Sequence, residues 1–132
     1  MKKNKKKIIL IEDDMAIIDV YKVAMGNTDI DMEVISWGKE AIEKVKEMQE
    51  GKREKPSLVL LDLFLPDIDG REILKEIKEN DKTKDITVFI LSNYTNVNNK
   101  QKEETENKAD KVILKAEITP TQLVALIEKQ LK

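Results

Sequence analysis

Four runs of unbroken apolar residues recur along this chain, and each is closed by a polar side chain. They are Ile8–Ile11, Leu58–Leu61, Val88–Leu91 and the shorter Val112–Leu114. Runs of this length, rich in β-branched residues, predict strands buried on both faces. A fifth, less buried strand is expected over Met32–Ser36, where Met32, Val34 and Ser36 alternate with Glu33 and Ile35. Between the strands the period changes to that of a helix. Met15–Met25 carries Ile17, Tyr21 and Ala24 on one stripe with Ile18 and Met25 beside it, and Gly38–Met48 carries Ala41, Ile42, Val45 and Met48. Gly51 and Pro56 interrupt the pattern before the next strand. Gly70–Lys78 carries Ile73, Leu74 and Ile77. A last helix presents Leu123, Leu126, Ile127 and Leu131; Thr119 is its cap, Pro120 suits its first turn and Gln122 completes a capping box.

Strand and helix thus alternate five times. This predicts an α/β fold in which helices cover both faces of a doubly wound, five-stranded parallel sheet. A length of 132 residues suits one domain. The lysine-rich segment, residues 1–6, reads as a basic tail, and residues 7–132 as the domain. The apolar run after the tail is four residues long and is followed at once by Glu12-Asp13-Asp14, too short for a secretory signal or a membrane span. A cytoplasmic protein is expected.

Composition narrows the chemistry. There is no cysteine, which removes disulfides, thiol catalysis and cysteine-bound zinc. There is no histidine, which removes the usual general base and a phosphohistidine role for this chain. A net charge of -2 gives no overall attraction to nucleic acid or to acidic membrane. Chemistry here must use carboxylates, hydroxyls, amines and backbone.

In a doubly wound sheet, ligands bind where the strands end at their carboxyl edge. The residues that close the apolar runs are Glu12-Asp13-Asp14, Asp62, Ser92 and Lys115, so parallel strands bring them to one edge. Glu12, Asp13 and Asp62 would repel one another by several kcal/mol, on the order of 4 kcal/mol per pair at a protein-like dielectric. A hard divalent cation relieves this, and oxygen ligands favour magnesium. Asp14 stands where the N-cap of the following helix belongs. Ser92 and Lys115 add a hydroxyl and a compact positive charge. A carboxylate surrounded by metal, hydroxyl and ammonium is suited to carrying a phosphoryl group.

Taken in order, Ile8–Asp14, the segment LVLLDLFLPDIDG (Leu58–Gly70), FILSN (Phe89–Asn93) and ADKVILK (Ala109–Lys115) resemble the bacterial response-regulator receiver domain of two-component signalling. The resemblance runs from about Lys7 to Leu131. It implies a flavodoxin-like strand order 2-1-3-4-5 and a signalling phosphoacceptor rather than an enzyme, one that assists its own phosphorylation and dephosphorylation. Asp62 would accept the phosphoryl group from a histidine kinase or histidine phosphotransfer protein, or from a small acyl phosphate. Mg2+ would be held by Asp13, Asp62 and the backbone carbonyl of Phe64, with Glu12 acting through water. Ser92 would be the switch hydroxyl and Lys115 the charge that meets the phosphoryl group. Pro66 and Gly70 would shape the loop after the acceptor, and Asp67 and Asp69 would be solvated loop acids. The partners implied are the phosphodonor and a downstream protein target, with no direct nucleic acid or membrane contact, for a monomer or weak dimer. Output is expected by non-covalent contact, since no segment is seen for a separate output domain.

The chain also departs from that family's pattern. Val112 stands where an aromatic is usual, leaving Tyr94 as a substitute, and Ala116 replaces the proline after the lysine, so a trans bond is expected there. Thr95–Lys108 has Val97 as its only aliphatic; such a helix should dock loosely, either as a mobile output surface or as a charged face without special role. Phe64, beside the acceptor, is expected to shield the acyl phosphate from water. Three other functions remain to be weighed. A receiver that binds partners without phosphorylation would not need the full acceptor set, which is present. A haloacid-dehalogenase-type phosphatase needs a second acid where Phe64 stands. A flavin binder needs a phosphate cradle where Glu12-Asp13-Asp14 would repel phosphate.

Overall fold

A computed structural model of the chain describes residues 5–92 and 108–132. The strands are β1 (Lys6–Ile11), β2 (Ile30–Ile35), β3 (Leu58–Asp62), β4 (Thr87–Ser92) and β5 (Lys111–Leu114). Among the described residues the helices are α1 (Met15–Met25), α2 (Gly38–Gln49), α3 (Gly70–Lys78) and α4 (Pro120–Gln130), with a 3-10 turn at Lys115–Glu117. All strand pairs are parallel, in the order β2-β1-β3-β4-β5. This is the doubly wound five-stranded sheet expected from the sequence. The helix expected over Thr95–Lys108 lies, apart from Lys108, outside the described residues, as does Tyr94.

The unbroken apolar strands divide their side chains between two cores. Ile9, Ile11, Val59, Leu61, Val88 and Ile90 point to one face, where α2 and α3 cover them with Val45, Met48, Ile73 and Ile77. Ile8, Leu10, Leu58, Leu60, Phe89 and Leu91 point to the other, against Ile18, Tyr21, Leu123 and Ile127 of α1 and α4. Each fully buried aliphatic of this kind contributes roughly 1.5–3 kcal/mol. The chain changes face between α1 and α2, so the order reverses between β1 and β3. The carboxyl ends of those two strands flank the switch point, where such folds open a crevice.

Some boundaries differ from the sequence reading. β2 spans Ile30–Ile35 rather than Met32–Ser36: Lys6 and Lys7 of β1 register with Ile30 and Asp31, which draws the start of β2 forward. Lys6 therefore enters the sheet rather than the tail. As an edge strand β2 is only half-buried, with Met32 and Val34 on the α1 side and Ile35 on the α2 side. The starts of α1 and α4 follow the capping signals. Asp14 accepts hydrogen bonds from Ala16 N and Ile17 N at 2.9 and 3.2 Å, and Thr119 and Gln122 form a reciprocal capping box. The turn at Lys115–Glu117 was not anticipated. Ala116 permits it, because a proline there would drive Lys115 out of the helical region. No cis peptide occurs among the described residues.

Candidate functional site

The carboxyl edge gathers the residues named from the strand ends. Glu12 follows β1, and its carboxylate is held from both sides. Oε1 accepts from the backbone N–H of Asp13 and of Asp14, each at 3.1 Å, and Oε2 accepts from Lys115 Nζ at 2.8 Å. Asp62 closes β3, with Oδ2 3.2 Å from Lys115 Nζ and Oδ1 accepting from Phe64 N at 3.0 Å. Asp13 is exposed, but one carboxylate oxygen from each of Glu12, Asp13 and Asp62 lies within 4.8 Å of the others. Two of these carboxylates, Glu12 and Asp62, share the Lys115 ammonium.

Glu12 is 1 % exposed and Asp62 5 %. Burial, together with the charge on Asp62, pushes the Glu12 carboxyl above the usual glutamate range despite the Lys115 hydrogen bond. Burial works against the Lys115 ammonium, yet the hydrogen bond to Glu12 and the charges of Asp62 and Glu12 outweigh it and hold its pKa above the ordinary lysine value. Tyr21 of α1 also lies within reach of these charges. Its hydroxyl is raised chiefly by burial. In the sequence Tyr21 reads only as a core position.

Ser92 closes β4, next to β3, where Leu91 registers with Asp62. Its side chain is fully buried, and its Oγ has no hydrogen-bond partner among the described residues. Buried hydroxyls are nearly always paired, so an idle one calls for a reason. Val112 sits in the α2–α3 core rather than at this edge.

The loop after Asp62 is fixed tightly. Gly70 N donates to Leu63 O at 2.8 Å, and Phe64 and Asp69 form an isolated antiparallel bridge. A Cβ on Gly70 would come within 2.6 Å of Asp62 O and Leu63 Cα, so only glycine lets α3 start against the end of β3. Phe64 is 46 % exposed, two residues beyond Asp62. Two acids of this loop keep contact with solvent, as expected, but also cap helices. Asp69 N-caps α3, accepting from Arg71 N at 2.9 Å and pairing with the Arg71 guanidinium, which holds its pKa below the usual range. Asp67 caps α2 from a distance: Oδ1 accepts from Gly38 N and Oδ2 from Lys39 N, each at 2.8 Å. A Trp-Gly pair opening a helix lacks any local side-chain cap, and that was the sequence signal for an outside partner.

An oxygen-only cluster with surplus negative charge fits a hard divalent cation. The idle Ser92 hydroxyl fits an incoming acceptor of hydrogen bonds at the same edge. Among the described residues, no helix is long and apolar enough to cross a membrane.

Comparison with known proteins agrees with this geometry. The family model of the response regulator receiver domain matches residues 8–128. The response regulator Rcp1 of a Synechocystis species is 38 % identical over 90 residues, 66 % of this chain and 61 % of that protein. The regulatory protein LuxO of Vibrio cholerae is 34 % identical over 83 residues, 63 % of this chain and only 16 % of its own length. The matched segment therefore spans less than two thirds of either relative. Among solved structures, the phosphorylated cyanobacterial phytochrome response regulator RcpA superposes with a TM-score of 0.77 at 31 % identity, covering 95 % of this chain and 90 % of that one. The Mn2+-bound form of Rcp1 gives a TM-score of 0.76 at 30 % identity, covering 94 % and 92 %.

Proposed function

The chain belongs to the response regulator receiver domain family, the phosphoacceptor switches of two-component signalling, and we propose that Asp62 is its phosphoacceptor. The observation that carries this reading is the placement of Lys115 between Glu12 and Asp62 at the end of the central strand.

In the reaction, an Asp62 carboxylate oxygen forms a bond to phosphorus. The bond from phosphorus to a phosphohistidine nitrogen, or to an acyl phosphate oxygen, breaks, and its electron pair leaves with that atom. The Lys115 ammonium, already within 3.2 Å of Asp62, is placed to meet the charge on the transferred group. Ser92, whose hydroxyl has no partner among the described residues, donates to the same group. Phe64 N holds one Asp62 oxygen and leaves the other towards Lys115, so the carboxylate is oriented before the donor arrives. Asp13, Asp62 and the Phe64 carbonyl would hold Mg2+, with Glu12 behind them through water, and its charge would neutralise the crowded oxygens. Glu12 suits the indirect place because backbone amides and Lys115 already occupy its oxygens. Hydrolysis of the acyl phosphate at the same residues resets the switch, so the domain assists its own dephosphorylation.

The donor is a histidine kinase or a histidine phosphotransfer protein. Exposed Met15, Trp37 and Phe64 support protein docking at this edge, since each follows the carboxyl end of a parallel strand. The receiving protein is a downstream partner in the cytoplasm.

The test is incubation with Mg2+ and acetyl phosphate, with phosphoryl incorporation followed by intact mass. The wild type should gain one phosphoryl group only with Mg2+, and Asp62→Asn should gain none. Labelling that persists in Asp62→Asn, or a wild type that never labels, removes the assignment.

A further inference from the structure

α2 begins without a cap of its own. Its N-cap residue is Trp37, which makes no side-chain cap hydrogen bond, so the Gly38 and Lys39 amides lack a local acceptor. Asp67, 29 and 28 residues along the chain, supplies both acceptors at 2.8 Å. The fit extends beyond the carboxylate. Ile68 packs into the core beside α2, and a Cβ on Gly38 would fall 2.2 Å from Ile68 Cγ1 and 3.1 Å from Asp67 Oδ1. Gly38 is thus the hollow into which this loop seats. The same loop carries Phe64, whose N–H grips Asp62 and whose backbone is bridged to Asp69. The other hydrogen bonds described for this loop run to itself, to Asp62 or into α3. The Asp67 pair runs to a separate element.

We infer that Asp67 is a positioning residue for the acceptor site: by fastening the Phe64 loop to the N-terminus of α2, it sets the loop's ligand geometry and passes the loop's response on to α2. This rests on the proposed role of Phe64 and Asp62 as metal ligands. It gives the domain a path from site to surface that uses neither an aromatic at position 112 nor the segment between β4 and β5. Trp37, the only tryptophan, is 56 % exposed at the end of that path and reports on it.

The experiment combines Mg2+ titration by calorimetry with Trp37 fluorescence, on wild type, Asp67→Ala and Asp67→Asn. Asp67→Ala removes both acceptors; Asp67→Asn removes the charge but keeps one oxygen for the helix amides. Loss of an outer support of a metal site weakens affinity by about 10-fold or more, so Asp67→Ala is expected to bind Mg2+ at least about 10-fold more weakly and to lose the Trp37 response. Asp67→Asn is expected to stay close to wild type in both. Equal behaviour of the two variants would mean that charge alone matters and overturns the inference. Unchanged affinity and fluorescence in Asp67→Ala overturns it too. A wild type that gives no heat with Mg2+ instead removes the metal reading on which it rests. Should Asp67→Ala fail to fold by circular dichroism, Gly38→Ala tests the same seat by crowding Ile68, and wild-type affinity with an unchanged Trp37 response in that variant overturns the inference.

Discussion

Lys115 Nζ stands 2.8 Å from Glu12 Oε2, joining residues 103 positions apart at the heart of the carboxyl edge. Glu12 is buried, so this ammonium is what makes its charge tolerable. Removing one partner of a buried pair leaves an uncompensated charge and costs about 3–5 kcal/mol. Lys115→Met should therefore lose about 3 kcal/mol in urea unfolding without divalent metal. Millimolar Mg2+ should restore part of it, because the three carboxylates regain a counter-charge. A variant as stable as wild type in metal-free buffer would show that Glu12 carries little charge.

Ser92→Ala should separate stability from chemistry. The Oγ is buried without a partner among the described residues, and such a group costs roughly 1–3 kcal/mol. The variant should unfold at equal or higher urea concentration than wild type. Its phosphorylation by acetyl phosphate should slow by about 10-fold or more, the value of one hydrogen bond to a charged group. A clear loss of stability instead would mean that the hydroxyl is engaged in the resting protein.

Glu33 on β2 links Lys44 of α2 at 3.1 Å and Arg53 at 2.9 Å. Burial alone would raise its pKa, but the hydrogen bond and charge of Lys44, with Arg53, outweigh it and lower the pKa below 4.5. A depressed carboxylate contributes stability that is present above its unfolded pKa and is lost as pH falls through the folded one. Glu33→Gln should therefore be less stable than wild type by about 0.5–1 kcal/mol at neutral pH, since solvent screens a partly exposed pair. Below pH 4.5 the gap should close. Thermal melts of both proteins from pH 3 to pH 7 check this; a gap that widens in acid contradicts the sign.

Gly70→Ala should be costly for a steric reason. Its Cβ would meet backbone atoms of Asp62 and Leu63 at 2.6 Å, and neither can swing aside. Overpacking of this kind costs about 1–3 kcal/mol. Chemical denaturation should show a loss of about 2 kcal/mol, with phosphorylation impaired because the backbone carbonyl of Asp62 is displaced.

The parts of the site that could be read from the chain are those made by strand ends. Glu12, Asp13, Asp62, Ser92 and Lys115 each close an apolar run, and parallel pairing then fixes them along one edge. Local caps such as Asp14 and Thr119 were equally legible, because donor and acceptor lie within three residues. Contacts set by tertiary seating were not. Asp67 reaches α2 only because Ile68 fits against Gly38, and no periodicity records that. The start of β2 was misplaced because an edge strand takes its register from its neighbour, not from its own alternation. Lys78 is another tertiary contact of this kind: it donates to Ile86 O and Asp110 at 2.7 Å, tying the end of α3 to the start of β4 and to the residue before β5.

Among the described residues the sheet separates two cores, one beneath α2 and α3 and one beneath α1 and α4. Side chains on opposite faces of a strand share backbone but not contacts, and changes at sites without shared partners add independently. The two layers should therefore be exchangeable. A chimera taking the α1–α4 layer and its inward-facing strand residues from one relative, and the rest from another, should fold with a stability near the sum of its halves, while both keep the same acidic edge. Recognition surfaces on the two sides can then diversify separately.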